Sequence, residues 1–147
     1  MRGPLGASYT PFRDDDEFWG RIDPGIRTFV RALNQMGFCT IGSCEGHSDP
    51  SDPSFRDGIY RRPTIRIGFR SWKEQGRFFR KVLADACDAA IRFDVIQYPD
   101  THAWGPFAST VYLQFDDLQG AQEFERFLLG ALSAKKANKS SRSLGSK

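Results

Sequence analysis

A chain of 147 residues that is 39% hydrophobic, 14% aromatic and 27% charged has the composition of a folded soluble domain, not of a disordered segment. Its formal charge of +3 comes from one end: the last 13 residues hold five basic residues and no acid, so residues 1–134 carry 16 basic against 18 acidic residues, a net of −2. This excludes a uniformly basic body, the absence of a long apolar run argues against a membrane partner, and three cysteines without a CxxC pair argue for a reducing compartment and against a disulfide framework.

Residues 1–22 read as an irregular arm, because Gly3, Pro4, Gly6 and Pro11 break any period. A first helix opens at Asp23, which can cap, with Pro24 at the first helical position. Ile26, Phe29, Val30 and Leu33 form its apolar stripe, and Gly37 stops it. Phe38 to Ser43 reads as a buried strand that runs into the loop Cys44-Glu45-Gly46-His47. Ser48 to Pro63, with Pro50, Pro53 and Gly58, is a long loop of the kind that often binds. Thr64 to Phe69 is a strand with Ile65, Ile67 and Phe69 on one face and Arg66 on the other.

A second helix opens on a capping box, Ser71 to Glu74, and carries Phe78, Phe79, Val82, Leu83 and Ala86 inward. Phe93 to Tyr98 is a strand, followed by a loop with His102 and Trp104. Ser109 to Phe115 alternates as a strand, and a third helix runs from Asp116 or Asp117 to Ala134. From Lys135 onward no apolar period remains, so residues 135–147 read as a basic disordered tail behind a single domain spanning 1–134.

The order helix–strand–strand occurs twice and a helix closes the chain. This predicts an α+β fold: two αββ units plus a C-terminal helix, with about four mostly antiparallel strands and helices on one face. The other face would be open and carry Arg66, Tyr112 and Gln114. Exposed strand edges would permit a homo-oligomer by sheet extension.

Several chemistries are missing. The chain holds no GxGxxG, no P-loop, no HExxH and no Cys-x5-Arg, which argues against a dinucleotide fold, an NTPase, a zincin and a tyrosine-phosphatase mechanism. The informative stretch is Ser43-Cys44-Glu45-Gly46-His47. A strand end with glycine can turn its amides into an anion-binding nest, and Ser43, Cys44 and His47 add a hydroxyl, a thiol and an imidazole. Together they can grip a phosphate, a ribose or a carboxylate. The competing reading is a tight turn in which Cys44 is a small buried apolar group. Zinc bound by Cys39, Cys44 and His47 would need Cys87 or His102 as a fourth ligand, and side chains on a strand and its turn can point apart, so no metal is expected. A Cys44 nucleophile would need His47 or His102 as its base. Arg61, Arg62 and Arg66 stand on or beside the next strand, where they could neutralise an anion, and Trp104 could stack on a base.

The run Leu33-Asn34, Gly37-Phe38, Thr40 and Ser43-Cys44-x-Gly46-His47 resembles the wybutosine-synthesising tRNA methyltransferase family, and similar loops occur in small bacterial and phage proteins. The match covers about fifteen positions. The resemblance implies an α/β fold that binds S-adenosylmethionine or RNA near the loop. The chain is short for that family and lacks its downstream elements.

The expected function is therefore a small cytoplasmic domain without cofactor that binds an anionic, nucleotide-like ligand through Ser43 to His47. It would use Arg61, Arg62, Arg66, His102 and Trp104, and could sequester a nucleotide signal. The alternatives are an RNA- or nucleotide-modifying enzyme using S-adenosylmethionine, and a nucleic-acid-binding module led by the basic tail. Whether any reaction is catalysed stays open.

Overall fold

A computed structural model describes residues 20, 22–47, 51, 61–98 and 107–145. A 3₁₀ turn, Pro24–Ile26, leads into helix α1, Arg27–Gln35. Strands β1, Cys39–Cys44, and β2, Thr64–Phe69, follow. The second helical stretch is continuous: α2, Trp72–Phe78, a π-helical segment, Phe79–Leu83, and α3, Ala84–Asp88. Strands β3, Asp94–Tyr98, and β4, Ser109–Gln114, precede the last helix, α4, Leu118–Gly145.

Local chemistry sets these boundaries. Gly37 has φ +94°, a left-handed conformation that suits glycine, and it ends α1 in a Schellman turn. There Phe38 N–H donates to Leu33 C=O and Gly37 N–H to Asn34 C=O, at 3.1 and 3.0 Å. At the second helix the Ser71 hydroxyl accepts from Glu74 N–H at 3.1 Å. The Asp117 carboxylate accepts from Gly120 N–H at 2.8 Å and caps α4.

The strands form one antiparallel sheet in the order β1-β2-β4-β3. Ile65, Ile67 and Phe69 of β2 and Val111 and Leu113 of β4 meet Phe29, Leu33, Phe78, Val82, Phe124 and Leu128 of the helices in one core. Phe29 stacks on Phe124 and meets Phe115 edge-on, with ring centroids 5.3 and 5.6 Å apart. The expected α+β architecture, with all helices on one face, is the observed one. Register slips between Thr40 and Gly42, so Ile41 bulges out opposite β2.

Two expectations need correction. The second face of the sheet is not open at its centre: Arg66 is 3% exposed, Tyr112 7% and Gln114 6%. Polar alternation marks which side a residue takes, and buried partners let that side close. The Arg66 guanidinium lies 4.8 Å from the Tyr112 ring centroid and donates to Thr110 Oγ1 at 3.2 Å. Nor does order end at Ala134, since α4 continues to Gly145. The extension carries Ala, Lys and Arg, good helix formers, and its cations favour a helix C-terminus. Among the described residues, no helix is long and apolar enough to cross a membrane.

Candidate functional site

The corner where β1 ends is built by matched lengths. The 3₁₀ turn and α1 advance about 6 Å and about 13 Å. After the Schellman turn, β1 returns over about 20 Å. The end of β1 therefore arrives beside the residue that precedes Pro24. That residue is Asp23, and its side chain makes no capping bond to its own helix. Instead its Oδ2 accepts from Glu45 N–H at 3.0 Å and lies 3.4 Å from His47 Nε2.

Glu45 returns the contact. Its Oε2 accepts from Gly25 N–H at 2.8 Å, so the loop and the start of the helical segment are stitched in both directions. Gly46 has φ +93°, and a Cβ there would stand 2.9 Å from both Cδ and N of Pro63. Only glycine gives the chain this turn at this distance. The turn aims His47 back at Asp23.

Cys44 is 6% exposed and completes the corner. One ligand atom each from Asp23, Cys44 and His47 lies within 4.8 Å of the others. A tetrahedral zinc with N and O ligands at about 2.0–2.1 Å places those two atoms about 3.4 Å apart. The observed separation of His47 Nε2 from Asp23 Oδ2 is 3.4 Å, which is also the length of a direct hydrogen bond or ion pair between them. The donor set is a thiol, an imidazole and a carboxylate, which suits zinc better than magnesium or calcium.

The sequence-predicted residues divide sharply. Cys44, Glu45, Gly46 and His47 converge at this corner. Ser43 is half-buried, pairs with Ile65 and points to the helix side of β1. Arg61 is exposed on the rim of an adjoining cleft of about 290 Å³, shared with Glu45, Gly46, Pro63 and Asp116. Arg62 is tied elsewhere: it donates to Phe115 C=O at 3.1 Å and bridges Asp94 and Asp116 at 2.7 and 3.1 Å. Arg66 reaches along the second face toward β4. His102 and Trp104 lie outside the described residues.

The residues weighed for zinc in the sequence do not come together. Cys39 sits at the far end of β1, about 16 Å of strand from Cys44. It packs with Ile41 and Phe107, and burial pushes its thiol up to about 11, with Arg70 opposing and Glu74 adding to the rise. Cys87 is exposed, beside Arg92 and Asp94 in another cleft. Neither joins Cys44 and His47. Asp23 does, and sequence reasoning had assigned it wholly to capping.

The anion-nest expectation meets an obstacle here. Glu45 N–H is already held by a carboxylate, and Asp23 and Glu45 make the corner acidic. Like charge at the corner opposes a bare anion there. The chain matches no known family model, no curated protein and no solved structure.

Proposed function

We propose that the protein is a metal-dependent ligand-binding domain. Asp23, Cys44 and His47 hold a zinc-class divalent ion, and the ion's remaining position takes an anionic, nucleotide-like ligand. The observation that carries this reading is the convergence of the three ligand atoms within 4.8 Å. Three protein ligands with one open position is the pattern of zinc sites that bind exogenous groups. Glu45 N–H on Asp23 supplies the outer contact that orients a ligating carboxylate. The metal also reconciles an acidic corner with an anionic ligand, because its charge replaces that of Arg62 and Arg66, both engaged elsewhere. Arg61, on the rim of the adjoining cleft, is positioned to meet ligand charge.

Cobalt(II) titration tests the metal. A sulfur-to-metal charge-transfer band should saturate at one ion per chain, and His47→Ala and Asp23→Ala should each weaken binding by more than about 100-fold, beyond the usual outer-shell loss. Absence of the band overturns the metal site. Melting curves against nucleotides, cyclic and ADP-ribose-type nucleotides and S-adenosylmethionine, with and without zinc, test the ligand. At about 100 times its dissociation constant a ligand adds about 2.7 kcal/mol. A nucleotide shift that requires zinc supports the reading. A shift with S-adenosylmethionine that ignores zinc replaces it with the modifying-enzyme alternative.

A further inference from the structure

The last helix starts at the candidate site and ends far from it. A Cβ added to Gly25 would meet the Leu118 side chain at 3.1 Å, so the first turn of α4 lies against the corner. Leu132 is the last buried residue of the helix, and residues 133–142 are all exposed. Lys135 lies about 25 Å along the axis from Leu118, and Arg142 about 36 Å. The chain thus extends a helix beyond its own core, although a few unpacked turns are marginal in water.

The composition of that extension is one-sided. At about 100° per residue, Lys135, Lys139 and Arg142 fall within about 60° of one another, and Lys136 widens the stripe. Asn138 borders it, with Ser140 and Ser141 on the same turns. The segment from Ala134 to Arg142 contains no acid and no aromatic or large aliphatic residue. A membrane-surface helix needs an apolar face of such residues, so this one is not built to lie in lipid. Lys, Arg, Ser and Asn are the side chains that contact phosphate and sugar. Ala134 and Ala137 add little bulk.

We infer that the exposed end of α4 is a docking surface for the phosphate backbone of a nucleic acid. The argument is charge complementarity: a basic stripe about 10 Å long, on a body of net charge −2, facing a regular row of phosphates. It stands apart from the metal reading, since no residue of the stripe belongs to the corner.

The test uses the full chain and fluorescence anisotropy on labelled duplex RNA, duplex DNA and the matching single strands, from about 50 to about 200 mM salt. With four cations engaged, log K should fall against log salt with a slope of about −3 to −4 on duplex and somewhat shallower on a single strand. Lys139→Ala should reduce the slope by about 1. The fourfold variant Lys135→Ala, Lys136→Ala, Lys139→Ala and Arg142→Ala should abolish binding. Alanine is the best helix former, so the variant keeps α4 while removing its charge, and its unchanged circular dichroism and cobalt band serve as controls. Which of the four probes binds best identifies the nucleic acid. No binding at low salt, or binding that survives the fourfold variant, overturns the inference. So does preferential binding to vesicles containing phosphatidylserine.

Discussion

The two ends of β1 hold a cysteine each, both buried, five residues apart, in opposite chemical company. Cys39 sits among Ile41 and Phe107, and its thiol is pushed up to about 11. Cys44 sits between a carboxylate and an imidazole. Burial is common to both; the neighbours are what differ. An apolar neighbourhood makes a thiol inert filling, whereas Asp23 and His47 make it one arm of the proposed coordination set. The difference arises because Cys39 at the far end packs into a small apolar cluster with Ile41 and Phe107, while the near end abuts the start of a helical segment.

The sharpest way to break this comparison is to exchange the two residues' fates. Cys44→Ala should remove the cobalt charge-transfer band and weaken metal binding by more than about 100-fold, roughly 2.7 kcal/mol. Cys39→Ala should leave the band and the affinity unchanged within a factor of about three, because it lies about 16 Å of strand away. A band that follows Cys39 would invert the assignment.

The second prediction uses proton linkage at the inert end. In the unfolded chain Cys39 ionises near its ordinary 9.0, whereas in the folded protein it holds its proton to about 11. Above pH 9 the folded state therefore binds more protons than the unfolded one, and stability falls as pH rises. The stabilisation is fully present below pH 9 and is lost between 9 and about 11, by about 2–3 kcal/mol. Urea unfolding at stepped pH should show this decline. Cys39→Ala starts lower at neutral pH, from lost packing, but should lack that part of the alkaline slope. A slope of equal size in the variant would sink the account.

Much of this was legible in the chain. The positive-φ stop at Gly37, the capping Ser71, the alternation of β2 and the helix-facing phenylalanines all follow from local rules. What was not legible is long-range. Asp23 reads as a helix cap because Pro24 follows it, and its alliance with Glu45 and His47 appears only when the lengths of α1 and β1 are matched. That match was itself available as a signal: a short helix, a tight turn and a strand of equal reach must bring their outer ends together. The burial of Arg66, Tyr112 and Gln114 needed the opposite face of the sheet to be covered, which no periodicity reports. The reach of α4 past Leu132 was hidden because without a core to face it shows no apolar period, and only its composition favours helix.

The finest test lies in the two glycines that flank the strand. Gly37 and Gly46 have nearly the same backbone, φ +94° and +93°. A side chain at either is strained by about 1–2 kcal/mol. Their surroundings differ. A Cβ at Gly37 would meet only Arg77 Nη2, at 3.6 Å, an ordinary contact with the end of an exposed side chain. At Gly46 it would meet Pro63 Cδ and N at 2.9 Å and Arg62 C at 3.1 Å, where backbone must move. Gly37→Ala should therefore lower stability by about 1 kcal/mol, the strain alone, and spare metal affinity. Gly46→Ala should cost about 1 kcal/mol more, in the range of backbone strain at functional turns, and should also weaken cobalt binding, since His47 is the next residue. Equal losses of stability with equal retention of metal would mean that the turn at Gly46 does not aim His47, and that the corner is held by Asp23 and Glu45 instead.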